Sequence, residues 1–166
     1  MRKRSKYRPK PVITDPINHV LSGLKRVGSI SAGVTLMIKN HTALEAVRKG
    51  QGTREDIDIL IGALNMTEAL AFFKYGNDWA GEIRAAQDAL LELGRRGAET
   101  GKFILRGPEL TALNMGMEIH DAQLEACTVS DLEKAMDYVA QCIRNGKARS
   151  MVRKEKDDAR EKEATD

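Results

Sequence analysis

Arg2, Lys3, Arg4, Lys6, Arg8 and Lys10 place six positive charges in the first ten residues, with no acid among them. Cations strung along a chain in this way neutralise phosphates and release their counterions. Tyr7, set among them, offers a ring on which a base can stack. The whole chain is +3, so residues 11–166 sum to −3. A basic arm on a mildly acidic body is suited to a polyanion or to an acidic protein surface.

A second group of cations lies in 94–107, GRRGAETGKFILRG, where Arg95, Arg96, Lys102 and Arg106 stand among four glycines and a single acid, Glu99. Gly101-Lys102 resembles the end of a phosphate-binding loop, but the spacing fails. Arg96 occupies the position five before Gly101 where a glycine is needed, and Phe103 follows the lysine instead of Ser or Thr. Two readings remain for the four cations. One is an auxiliary anion-binding patch on a loop. The other, which is favoured, is a connection between helices in which Arg95 and Arg96 offset the dipole at a helix C-terminus.

The remaining candidates for chemistry are sparse. Glu55/Asp58 and Glu118/Asp121 are ExxD pairs of the kind that hold Mg²⁺ in helical nucleotide hydrolases, but such sites need four or more facing carboxylates. His41 has Glu45 at i+4 and His120 has no partner at ligand spacing; one such pair does not make a metal site, and both read as buried, hydrogen-bonded histidines. Cys127 and Cys142 have no CxxC spacing and read as two buried thiols of a reduced cytoplasm. No catalytic residue, metal ligand or cofactor is expected. Phe72, Phe73, Tyr75 and Trp79 gather most of the aromatic area at one junction. They form either a core cap or an anchor for a protein partner.

These residues have to be positioned by helices. Aromatics are 4% of the chain, no strand alternation occurs, and apolar residues recur at helical spacing. Helices are expected at about 15–25, 32–49, 54–75, 78–94, 108–127 and 130–145, the first of them short and ended by Gly28. The stripe of the second is Val34, Met37, Ile38, His41, Leu44 and Val47. Thr53-Arg-Glu-Asp56 is a capping box opening the third, which is apolar on two faces and therefore central. Asn77 or Asp78 caps the fourth, with Trp79 on its inward stripe. Pro108 suits the first turn of the fifth, and Thr128 or Ser130 caps the last, with Met136, Cys142 and Ile143 turned inward. The expected fold is all-α: an antiparallel bundle of four to five main helices over 14–146. A disordered basic arm (1–13) precedes it, and a charged tail (147–166), frayed or disordered, follows. No apolar run is long enough to span a membrane, and the basic N-terminus lacks the apolar stretch of a signal peptide.

The arm RKRSKYRPKPV and the stretch RRGAETGKFILRGPELTALNMGMEIHDAQLEACTVSDLEKA together resemble a group of small proteins encoded by tailed phages and prophages of proteobacteria. The resemblance runs over most of the chain. It carries no activity, cofactor or catalytic residue, and it implies a regulatory or host-directed protein in the host cytoplasm. The leading expectation is a non-catalytic regulator that binds nucleic acid, or a host complex containing it, through residues 2–10. The alternative is a protein-interaction module, either a homo-oligomer or an inhibitor of a host protein. A metal-dependent nucleotide hydrolase comes third.

Overall fold

A computed structural model describes residues 16–147. The arm and nearly all of the charged tail lie outside these residues, as do Arg2, Lys3, Arg4, Lys6, Tyr7, Arg8 and Lys10. The described chain is all-α, with six helices: α1 (Pro16–Gly23), α2 (Ser31–Arg48), α3 (Arg54–Phe72), α4 (Ala80–Thr100), α5 (Gly107–Ala126) and α6 (Val129–Arg144).

Local chemistry sets most of the boundaries. Thr53 and Asp56 form the expected capping box of α3: the Asp56 N–H donates to the Thr53 hydroxyl, and the Thr53 N–H donates to Asp56 at 2.8 Å. Thr128 and Asp131 repeat the device at α6, so the cap is Thr128 and not Ser130. Pro108 lies in the first turn of α5, where its missing N–H costs nothing, and Glu109 accepts from the Arg106 N–H at 2.9 Å. Asn77 and Asp78 do not cap α4. They belong to a 3-10 turn, Asn77–Trp79, and Trp79 itself is the N-cap residue, 47% exposed rather than inward.

The largest departure from the pattern is α4, which runs through Gly94 and Gly97 to Thr100. Gly97 faces the Phe103 ring, and a β-carbon there would collide with it. That glycine serves close packing, not a break, and Arg95 and Arg96 are helical residues. The connecting loop shrinks to 101–106, and Gly101, at φ 70°, makes the actual C-terminal reversal.

The short connections pair up. Arg26 bridges Thr128, which ties the link before α2 to the link before α6. Gly52 bridges Phe103, which ties the α2–α3 and α4–α5 links at the other end. Successive helices therefore run up and down. α3 touches α2, α4, α5 and α6, as its two apolar faces require. The main core joins Leu44 and Val47 of α2, Leu60 and Leu64 of α3, Leu90 and Leu93 of α4 and Leu113 and Met117 of α5. A second core, around Leu70, Leu124, Cys127 and Ala135, seats α6.

The phase of α2 differs from its apolar stripe. Gly33, Asn40, Ala43, Leu44 and Val47 are buried, while Val34 and Ile38 are 43% and 62% exposed. Asn40 is held inside by a polar partner on α5. Gly33 packs so closely on the Val27 backbone that no side chain fits there. On α6, Met136 and Ile143 face solvent and Cys142 is only half-buried, so one thiol of the two, Cys127, is a core group. Gly28 lies inside a 3-10 turn, Val27–Ser29, and does not terminate α1.

Candidate interaction surface

Among the described residues no group of three or more His, Cys, Asp or Glu side chains is placed to hold a metal ion. The polar chemistry of the interior is instead a buried network. The Thr67 hydroxyl donates to the Ala63 carbonyl at 2.9 Å, so its oxygen is left to accept from His120 Nδ1–H at 3.0 Å. His120 Nε2 then accepts from Asn40 Nδ2 at 3.2 Å. The imidazole is thus neutral and of one tautomer, and it links α2, α3 and α5. Burial, with the smaller influences of Asp121 and His41 opposing each other, pushes its pKa down to about 4. Gln123 donates to the carbonyls of Thr67 (3.0 Å) and Tyr75 (2.6 Å) and closes the network toward the α3–α4 turn. His41 is hydrogen-bonded but not buried: its Nε2 lies 2.6 Å from Asp121 Oδ2 on the surface.

The four cations of the 94–107 segment differ in their partners. Arg96 holds Glu109 with two hydrogen bonds of 2.6 Å and adds a third to the Ile104 carbonyl at 3.1 Å. Burial alone would raise the Glu109 carboxyl, but Arg96 and the Arg106 N–H outweigh it and hold that carboxyl below its usual range. Arg95 pairs with Glu92 at 2.7 Å. Lys102 and Arg106 are exposed on the loop. The structure therefore uses Arg96 as a clip between α4 and α5, with its guanidinium committed to Glu109.

The four aromatics also divide. Phe72, 63% exposed, stacks on Tyr138 of α6 at 4.8 Å, and Phe73 meets both rings edge-on. Tyr75 packs against the same second core and donates its hydroxyl to Asp131 at 2.8 Å. Trp79 stands over a shallow cavity of about 480 Å³ with Met115 and Ile119. Tyr138 is a member of the cluster that sequence spacing missed, because it lies 65 positions from Phe73 on another helix.

The most exposed apolar surface belongs to a short helix. Ile17, Val20, Leu21 and Leu24 follow i, i+3, i+4, i+7 spacing along α1 and its C-terminal end. They are 73%, 60%, 55% and 65% exposed. α1 packs on α6, with Gly23 near Ser130, and leaves this stripe to solvent. No helix among the described residues is long and apolar enough to cross a membrane. Comparison with known proteins returns no matching family model, no matching curated protein and no matching solved structure.

Proposed function

We propose that this chain acts by association, as a non-catalytic protein-interaction module whose partner is an acidic protein surface with an apolar centre. One observation carries the reading: α1 bears an uncovered amphipathic stripe of four large apolar residues. Uncovered stripes at helical spacing mark helix-in-groove recognition. The sequence immediately before α1 supplies the charge complement, six cations in residues 2–10. Such an arm speeds encounter with an acidic surface, and the stripe slows release. The resemblance to phage-encoded proteins would make the partner a host protein. A photo-cross-linker at Val20 is expected to trap an acidic partner in the host cytoplasm. The adduct should disappear when Arg2, Lys3, Arg4 and Lys6 are replaced by Ala. Adducts with a second copy alone, or none, would refute the reading.

A second reading keeps nucleic acid as the partner of the arm, and charge favours it. Residues 16–147 hold 15 Lys and Arg against 17 Asp and Glu. Several of those cations already sit on carboxylates, at Glu45, Glu92, Glu109 and Asp131. The arm is then the region of concentrated positive charge that can answer phosphates. Binding to DNA or RNA that weakens steeply with salt would support this reading.

A further inference from the structure

The shallow cavity of about 480 Å³ under Trp79 lies where the α3–α4 turn meets α5. Trp79 and Met115 line it and are left partly open, at 47% and 39% exposed, and the buried Ile119 continues the apolar wall. Lys74 and Glu118 line it as well, one charge of each sign, so the lining is balanced.

Gln123 belongs to the same lining and is 4% exposed. Its amide has one possible orientation. Nε2 donates to the Thr67 and Tyr75 carbonyls, and a flipped amide would set its oxygen against two oxygens. The turn that presents the Tyr75 carbonyl is itself fixed, because the Lys74 N–H donates to the Ala71 carbonyl at 2.9 Å and the Tyr75 N–H to the Leu70 carbonyl at 3.0 Å. Gln123 Oε1 is left buried with no hydrogen-bond partner among the described residues. A buried acceptor without a donor is costly, and the amide cannot turn to correct it.

We infer that this cavity binds a small, neutral, planar heteroaromatic molecule, which lays its ring on Trp79 and Met115 and donates a ring N–H to Gln123 Oε1. The apolar side chains select a flat apolar body, the balanced charges a neutral one, and the unpaired acceptor a donor. Oε1 is closed to solvent, so the ring enters by displacing the half-exposed Trp79 side chain. Trp79 and Gln123 meet at the Gly76 corner: Trp79 Cδ1 and Gln123 Nε2 lie 3.6 and 3.7 Å from the point a β-carbon on Gly76 would occupy. The site is separate from the α1 stripe, and the inference stands or falls independently of the proposed function.

Benzimidazole and benzoxazole are the probes, rings of one shape that differ in whether an N–H or an oxygen occupies the same position. Trp79 is the single tryptophan of the chain, so its indole N–H resonance in nitrogen-labelled full-length protein reports on this cavity alone. Benzimidazole at neutral pH is expected to move that resonance saturably, and benzoxazole to bind roughly tenfold more weakly, the ratio that one buried hydrogen bond supplies. Met115→Asp, at a partly exposed position, should weaken benzimidazole binding by a similar factor, with circular dichroism confirming unchanged helicity. Equal affinities for the two probes would overturn the inference. So would a Trp79 resonance that neither probe moves, or benzimidazole binding that Met115→Asp leaves intact.

Discussion

His120 carries the sharpest consequence at the scale of a single residue. Its pKa is about 4 in the folded chain, against an ordinary value near 6.5. Above pH 6.5 both folded and unfolded chains hold it neutral, and it adds nothing to pH dependence. Between about 6.5 and 4 the unfolded chain takes up a proton that the folded one refuses, so stability falls as pH falls through that window. The loss by pH 4 is expected to reach about 3 kcal/mol, because each tenfold difference in proton affinity between the two states is worth about 1.4 kcal/mol. Denaturant melts of the wild type and of His120→Gln at pH 7 and 4.5 measure it. The variant should lose much of the slope. Thr67→Val removes the oxygen that accepts from Nδ1–H and leaves a buried donor unpaired, which costs about 1–3 kcal/mol by the same melts. The sequence showed His120 on a buried stripe but not its partners. Asn40 and Thr67 are polar, lie 80 and 53 positions away, and declare themselves only when three helices meet.

At the scale of elements, the boundaries legible in the sequence were those written in local hydrogen-bond chemistry. Thr53–Asp56, Thr128–Asp131 and Pro108 are satisfied within one turn, so no tertiary information is needed to place them. Thr128→Ala is expected to lower stability by about 1 kcal/mol in urea unfolding, since it strips the cap from α6 and frees the Asp131 carboxylate that also receives Tyr75. Glycine misled at α4 because its two uses look alike in sequence. Gly101 supplies a left-handed backbone and ends the helix, whereas Gly97 admits the Phe103 ring and does not. Arg96 follows from the same difference. In a loop it reads as a spare cation. On the helix it faces Glu109 and becomes a brace. Arg96→Ala should destabilise the chain by about 1.5–3 kcal/mol while leaving affinity for a polyanion nearly unchanged. A drop in nucleic-acid affinity without a drop in stability would reverse that assignment.

For the molecule as a whole, an all-α bundle was legible because helical spacing persists over long runs and no alternating pattern competes with it. The α2 phase was not, since Val34 and Ile38 are good core residues that Asn40 and Gly33 displace. What the body lacks is also informative. The described residues are net −2 and add no net attraction to phosphates. If six arm cations contact nucleic acid, log affinity against log salt should fall with a slope of roughly −4 to −5, and replacing Arg2, Lys3, Arg4 and Lys6 by Ala should flatten it by about 3. The same replacements should weaken all sequences alike, because phosphate contacts position without reading bases. Binding that is insensitive to salt would leave the α1 stripe as the principal contact.

The imidazole held between Asn40 and Thr67 has a consequence for how this chain can change over time. Each of its nitrogens is committed to a different helix, so positions 40, 67 and 120 are expected to behave as one heritable unit. In a combinatorial library, single replacements at these sites should be depleted. A fully apolar trio of matching volume should survive, because removing all partners together strands no buried polar group. The route between the two solutions passes through less stable intermediates, and that barrier, more than any contact with a ligand, would keep the trio together among descendants of this sequence.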